Sequence, residues 1–138
     1  MSSGVIIGYD GSDAAKAALR AGIQVGRAYG EPVTIAFGYD LQPVGGEIHD
    51  YHTALKEFAT ARVNEARALA DADGVDVDTA IVEEDPAEGL VELARQRDAR
   101  VIVVGTRGEG PIRGALLGSV PHKLLQLADR PVLVVPAD

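Results

Sequence analysis

Cysteine is absent from this sequence of 138 residues, which excludes disulfide bonds, thiolate catalysis and cysteine-based zinc sites. Long apolar runs are also missing, since no stretch reaches the ~18 apolar residues typical of a membrane-spanning helix. Basic residues are few: 13 Lys and Arg stand against 21 Asp and Glu, for a net charge of −8. Because this balance repels nucleic acids and anionic membranes, we expect neither as a partner.

The sequence also has little that resembles a signal peptide. Residues 1–4 lead directly into a strand-like apolar run, with no basic segment followed by a longer apolar stretch. Together with the lack of cysteine, which suits a reducing compartment, this pattern predicts a cytoplasmic protein.

Strand-like runs recur along the whole chain. Runs rich in β-branched residues cover 5–9, 33–37, 75–82, 101–104 and 132–135. Four of them are nearly continuously apolar, which is typical of parallel strands buried on both faces. The run at 75–82 instead alternates with Asp76 and Asp78, so it is predicted to form an edge strand.

Helical patterns lie between these runs. Ser12 or Asp13 can cap the first helix, and Asp85-Pro86 opens the third. The second helix carries a longer apolar stripe of Leu55, Phe58, Ala59, Val63, Ala66 and Ala70. A fourth, with Leu124, Leu127 and Ala128 on its apolar side, begins at Ser119. Residues 40–50 form the longest irregular connection.

The alternation of strands and helices predicts one α/β domain over residues 1–138. We expect an open, twisted, five-stranded parallel sheet of the Rossmann-like type, with helices on both faces. In such sheets ligands bind at the carboxyl ends of the strands, where the strand order reverses.

A glycine-rich loop follows the fourth strand and is the most informative feature of the sequence. Gly105, Gly108 and the pair Gly118-Ser119 form the pattern Gly-x2-Gly-x9-Gly-Ser at the start of a helix. Glycines allow backbone N–H groups to approach an anion, and a helix start adds unpaired N–H donors, so the loop is a candidate phosphate cradle. Arg107 and Arg113 lie within it and can supply positive charge.

Two commoner phosphate motifs do not fit this loop. No glycine is followed by the Lys-Ser/Thr pair of a P-loop, and Arg113 occupies the third glycine position of a dinucleotide-binding fingerprint. A flexible surface loop is the alternative interpretation of the glycines.

The spacing of this loop resembles the ATP-binding loop of the universal stress protein family. Two further segments are similar to that family: 5–12, which ends in Asp10-Gly11-Ser12, and 118–135. The resemblance covers nearly the whole chain. It implies the strand order 3-2-1-4-5, ATP as ligand, and a homodimer formed through residues 131–136.

The resemblance also implies roles for individual residues. Asp10 would bind the ribose, with capping of the first helix as the alternative, and the backbone at Gly38 would meet the adenine. The phosphates would be held by Gly105, Gly108, Gly118, Ser119 and Val120. Tyr9 and Tyr39 could flank the nucleotide or simply cover the end of the sheet.

Two positions depart from the family pattern. Gly38 stands where the family more often has valine, which removes an apolar contact to the base. Pro121 replaces a small polar residue in the first turn of the last helix and removes one N–H group.

The residues do not form a recognisable catalytic set. The sequence shows no set of nucleophile, base and orienting group. His49 and His52 have no further metal ligands at a recognised spacing. His122 is predicted to be a solvent-facing helix residue. We therefore predict a nucleotide-binding stress or regulatory protein without catalytic residues or a protein-bound metal, with at most slow ATP hydrolysis. Mg²⁺ or Mn²⁺ would enter with the ATP.

Two alternatives stay open at the level of the sequence. One is a regulatory dimer of the same fold that does not bind nucleotide. The other is a small enzyme that transfers adenylate.

Overall fold

The computed structural model describes residues 4–38, 48–71, 77–107 and 117–138, in which strands and helices alternate along the chain. Their bounds are β1 (Val5–Gly8), α1 (Asp13–Tyr29), β2 (Val33–Gly38), α2 (Ile48–Asp71), β3 (Val77–Val82), α3 (Pro86–Gln96), β4 (Val101–Gly105), α4 (Ser119–Leu127) and β5 (Val132–Val135).

The five strands form one parallel sheet in the order β3-β2-β1-β4-β5. Val5 of β1 is in register with Val33 of β2 on one side and with Val101 of β4 on the other. The strand order reverses between β1 and β4, so these two neighbours define the switch point. Both the predicted order and the predicted edge position of β3 are confirmed.

Helices cover both faces of the sheet, because successive strand residues point to opposite sides. Val5 and Ile7 pack with α1 and α2 on one face. Ile6 packs with α3 and α4 on the other. The continuous apolar runs of the central strands thus follow from burial on both faces.

Local signals in the sequence determine the helix ends. The Ser12 hydroxyl oxygen accepts a hydrogen bond from the N–H of Ala15 at 3.1 Å and caps α1, which ends at Gly30 in the left-handed conformation. Asp85 caps α3 by accepting from the N–H of Glu88 at 3.2 Å, with Pro86 at the first helical position.

Three details differ from the prediction. Phe58, a member of the apolar stripe predicted for α2, is 46% exposed and makes an edge-to-face contact with the ring of Phe37 in β2, with ring centres 5.8 Å apart. Leu127 is 41% exposed, since it lies in the last turn of α4, beside the edge strand. The predicted irregular segment 40–50 is also too long, because α2 begins at Ile48.

Candidate functional site

The loops after β1 and β4 meet at the carboxyl edge of the sheet. The two strands are direct neighbours, and the Ser12 hydroxyl approaches the carbonyl oxygen of Arg107 at 3.4 Å. The N–H of Gly118 donates to the carbonyl oxygen of Thr106 at 2.7 Å, which fixes the start of α4 beside the end of β4. Asp10, Arg107 and Ser119 therefore belong to elements that converge on one edge.

The turn after β1 is a compact structure built by its own side chains. Asp10 Oδ1 accepts from the N–H of Ser12 at 2.9 Å, and Gly11 adopts φ 88°, a region in which side chains are strained. Ser12 caps α1, so this turn and the first turn of α1 form one unit. Asp10 thus shapes its own turn, and its carboxylate is located at the switch point.

The start of α4 differs from the starts of α1 and α3. Its N-cap residue is Gly118, in an extended conformation (φ −70°, ψ 174°), and no side chain among the described residues caps the helix. The side chain of Ser119 is exposed. An uncapped helix start offers backbone N–H donors and a partial positive charge, which is the chemistry that binds anions.

Pro121 is buried in the first turn of α4. Since proline has no N–H group, the donors at this helix start are confined to the residues before it, among them Ser119 and Val120.

Gly105 has a packing role that the sequence did not reveal. A β-carbon at this position would lie 2.7 Å from both the carbonyl carbon and the Cβ of Ala14, in the first turn of α1. The end of β4 can therefore approach α1 this closely only without a side chain.

Gly38 is likewise explained by a neighbour distant in sequence. A β-carbon there would lie 2.8 Å from the Cα of Pro86, at the start of α3. Glycine at position 38, where the family more often has valine, thus accompanies a close approach of α3 to the end of β2.

Tyr9 is buried and is not exposed at the carboxyl ends of the strands. Its side chain is 2% exposed and packs in the core, and its hydroxyl donates to Glu65 Oε1 of α2 at 2.5 Å. Glu65 in turn accepts from Nη1 of Arg62 at 3.1 Å. Sequence reasoning missed Arg62 and Glu65, because no motif links a mid-helix ion pair to a turn about 50 residues earlier.

Burial, together with the hydrogen bond to Glu65, raises the pKa of Tyr9 well above its usual value. The same hydrogen bond from Tyr9, with a smaller contribution from Arg62, lowers the pKa of Glu65. The phenol is thus held neutral and the carboxylate charged.

A second charged cluster joins α3 to α4. Lys123 Nζ lies 3.1 Å from Asp85 and 3.5 Å from Glu88. Hydrogen bonding to Asp85 raises the pKa of Lys123. This ammonium group is thereby paired with carboxylates of α3. In the described part of the loop after β4, the exposed Arg107 is the cation.

Several predicted residues lie outside the described residues, namely Gly108 and Arg113 of the glycine loop, Tyr39, Asp76, and the side chains of His49 and His52. Within the described ranges, no group of three or more His, Asp or Glu residues could hold a metal ion. None of the helices in the same ranges is both long and apolar enough to cross a membrane.

The fold and the site together define a class of protein: a doubly wound parallel α/β protein with an uncapped helix start beside its switch point. The model of the universal stress protein family matches residues 1–136. This chain belongs to the universal stress protein family, which confirms the resemblance seen in its sequence.

Individual relatives agree with this assignment. A universal stress protein of Methanocaldococcus jannaschii is 32% identical over 136 residues, covering 95% of this chain and 80% of that protein. The crystal structure of a universal stress protein in complex with cAMP is similar with a TM-score of 0.77 at 32% identity, over 99% of this chain and 98% of that one.

A universal stress protein from Archaeoglobus fulgidus, in complex with dAMP, has a TM-score of 0.71 at 23% identity, covering 96% of this chain and 97% of that one. At this identity the likeness shows the shared fold.

Proposed function

We propose that this protein binds an adenine nucleotide, with ATP as its ligand, at the carboxyl ends of β1 and β4. One observation carries the proposal: the uncapped start of α4 is bonded through Gly118 to the end of β4, next to the turn that holds Asp10. The related protein of known structure in complex with cAMP supports adenine nucleotides as the ligand class.

In this proposal each part of the site binds one part of the nucleotide. The N–H groups of Ser119 and Val120 bind the terminal phosphates, together with the Ser119 hydroxyl. Gly105 and Gly108 line the inner phosphates, and Arg107 and Arg113 supply positive charge. Asp10 binds the ribose, and the backbone at Gly38 meets the adenine. A Mg²⁺ or Mn²⁺ ion would enter with the phosphates, since Mg²⁺ is usually held by phosphates, water and one or two carboxylates.

We infer a regulatory rather than a dedicated catalytic role. Backbone N–H groups and a turn carboxylate can bind and orient a nucleotide, but they do not supply an oriented nucleophile for phosphoryl transfer. Nucleotide occupancy would then act by changing the surface at the carboxyl edge of the sheet.

The test replaces Gly118 with valine. A side chain at the N-cap would occupy the space needed by the phosphates, so Gly118→Val is expected to abolish ATP binding in calorimetric titration while the protein stays folded. Ala128→Val is a matched control, because Ala128 ends the same helix in a similar extended conformation (φ −70°, ψ 140°). Equal ATP affinity in the wild type and Gly118→Val would refute this placement of the phosphates.

A further inference from the structure

The turn that carries Asp10 is packed against a charged side chain of α2. Gly11 is buried, and a β-carbon on it would lie 2.9 Å from both Cζ and Nε of Arg62. The guanidinium group therefore lies directly against the backbone of Gly11. No side chain other than hydrogen fits between the turn and α2 unless Arg62 moves.

Two neighbours on its own helix help to hold the guanidinium group in this position. Nη1 of Arg62 donates to Glu65 Oε2 at 3.1 Å, and Cζ lies 4.9 Å from the centre of the Phe58 ring. Residues three and four apart are neighbours on a helix surface, so both contacts are built into α2 itself. The Arg62 side chain is accordingly only 26% exposed.

Glu65, the other member of the ion pair, contacts Tyr9, the residue before Asp10. Glu65 Oε1 accepts from the Tyr9 hydroxyl, while the N–H of Tyr9 donates to the carbonyl oxygen of Ala36 in β2 at 2.9 Å. Tyr9 is thus bonded to α2 through its side chain and to β2 through its backbone. Both residues that flank Asp10 contact the same Arg62–Glu65 pair.

We propose that the Arg62–Glu65 ion pair positions the nucleotide site, fixing Asp10 through Tyr9 and Gly11 without contacting the ligand. This inference rests on the proposed function. A turn that is not fixed in advance must be ordered when the nucleotide binds, and that ordering weakens affinity. Arg62 and Glu65 are therefore positioning residues, and their effect passes through Asp10.

The first test compares two Arg→Gln changes on the same helix. Arg62→Gln removes the contact with Gly11, and binding is expected to weaken roughly tenfold, the cost of ordering about one backbone residue. The weakening should be the same for AMP and for ATP in calorimetric titration. Arg67→Gln is the control, because Arg67 bonds to Thr79 on β3 at 2.9 Å, and it should match the wild type.

The ligand comparison separates positioning from direct attraction. A guanidinium that acted on the phosphates would weaken ATP binding far more than AMP binding, and this result would overturn the inference. In an Asp10→Ala background, Arg62→Gln should cause no further loss. A full additional loss there would also overturn it.

Amide hydrogen exchange without nucleotide gives an independent readout. Exchange at Gly11 and Ser12 should be faster in Arg62→Gln than in the wild type or Arg67→Gln, and unchanged exchange would overturn the inference. If Arg62→Gln does not fold, Glu65→Gln serves instead, because its amide oxygen can still accept from Tyr9 while the charge that holds Arg62 is lost.

The two hypotheses fail in different ways. A wild-type protein that bound neither nucleotide would overturn the proposed function and this inference together. Equal affinities in the wild type and Arg62→Gln would overturn this inference alone.

Discussion

At the residue scale, the carboxyl edge of the sheet is shaped by glycines that touch distant side chains or backbone. Gly11 lies against Arg62, Gly38 against Pro86, and Gly105 against Ala14. Each contact brings a helix close to the end of a strand. At the edge that is proposed to hold the nucleotide, these three glycines are therefore in close contact with helices.

Tyr9 gives a prediction about pH at this scale. Its pKa in the folded protein is raised, first by burial and then by its hydrogen bond to Glu65, with Arg62 opposing and Asp10 adding to the shift. A group with a raised pKa in the folded state stabilises the protein below its unfolded pKa of about 10, and that stability is lost as the pH rises above it. The free energy of unfolding should therefore fall more steeply above pH ~10 in the wild type than in Tyr9→Phe.

Absorbance of the phenolate checks the same prediction in a second way. Of the four tyrosines in the chain, Tyr9 should ionise only as the protein unfolds, and this late step should be missing in Tyr9→Phe. Complete titration of all tyrosines in the folded protein would contradict the burial of this hydroxyl.

At the scale of elements, the helices differ in how the free backbone N–H groups of their first turns are hydrogen-bonded. Ser12 caps α1 and Asp85 caps α3, whereas α4 begins at Gly118 without a cap from any side chain that the structure describes. A missing cap leaves orphan N–H groups that need another partner. Of these three helix starts, that of α4 is therefore the one suited to an anion.

The junction of β4 and α1 gives a prediction about stability. Gly105→Ala places a β-carbon 2.7 Å from the backbone of Ala14, and overpacking of this kind should lower the free energy of unfolding by roughly 1–3 kcal/mol. Urea denaturation without nucleotide measures the loss. Gly4→Ala is the control, because its β-carbon would meet the carbonyl oxygen of Pro32 at 3.3 Å and should cost less. Unchanged stability in Gly105→Ala would mean that the packing of α1 does not require glycine there.

At the scale of the whole molecule, the two edges of the sheet are chemically different. The β3 edge is charged: Asp78 pairs with Arg97 at 2.8 Å, and Arg67 bonds to Thr79. The β5 edge consists of Val and Leu, and Leu133 is 38% exposed. Charged edges discourage strand pairing, whereas an apolar edge favours it.

We therefore propose that the protein forms a homodimer through residues 131–136, with β5 of each copy at the two-fold axis. Leu133→Lys should shift the protein to monomers, because it places charges in the interface, as measured by light scattering coupled to size exclusion. Thr79→Lys adds the same charge at the opposite edge and should leave the assembly unchanged. A wild-type protein that ran as a monomer would refute the dimer.

The sequence by itself determined the architecture and indicated where a candidate site would lie. Continuous apolar runs indicated strands buried on both faces, Ser12, Gly30 and Asp85-Pro86 indicated helix ends, and the glycine spacing indicated the loop after β4. These signals are local, since they depend on periodicity, caps and backbone freedom within a few residues, and so they can be read along the chain.

Only the tertiary structure decided which distant residues meet. It placed Arg62 against Gly11, Pro86 against Gly38 and Ala14 against Gly105, and it buried Tyr9 while leaving Phe58 exposed. Such contacts depend on the angle at which each helix crosses the sheet, and that angle results from the packing of all side chains together. No local pattern encodes it, which is why the Arg62–Glu65 pair became visible only in the folded chain.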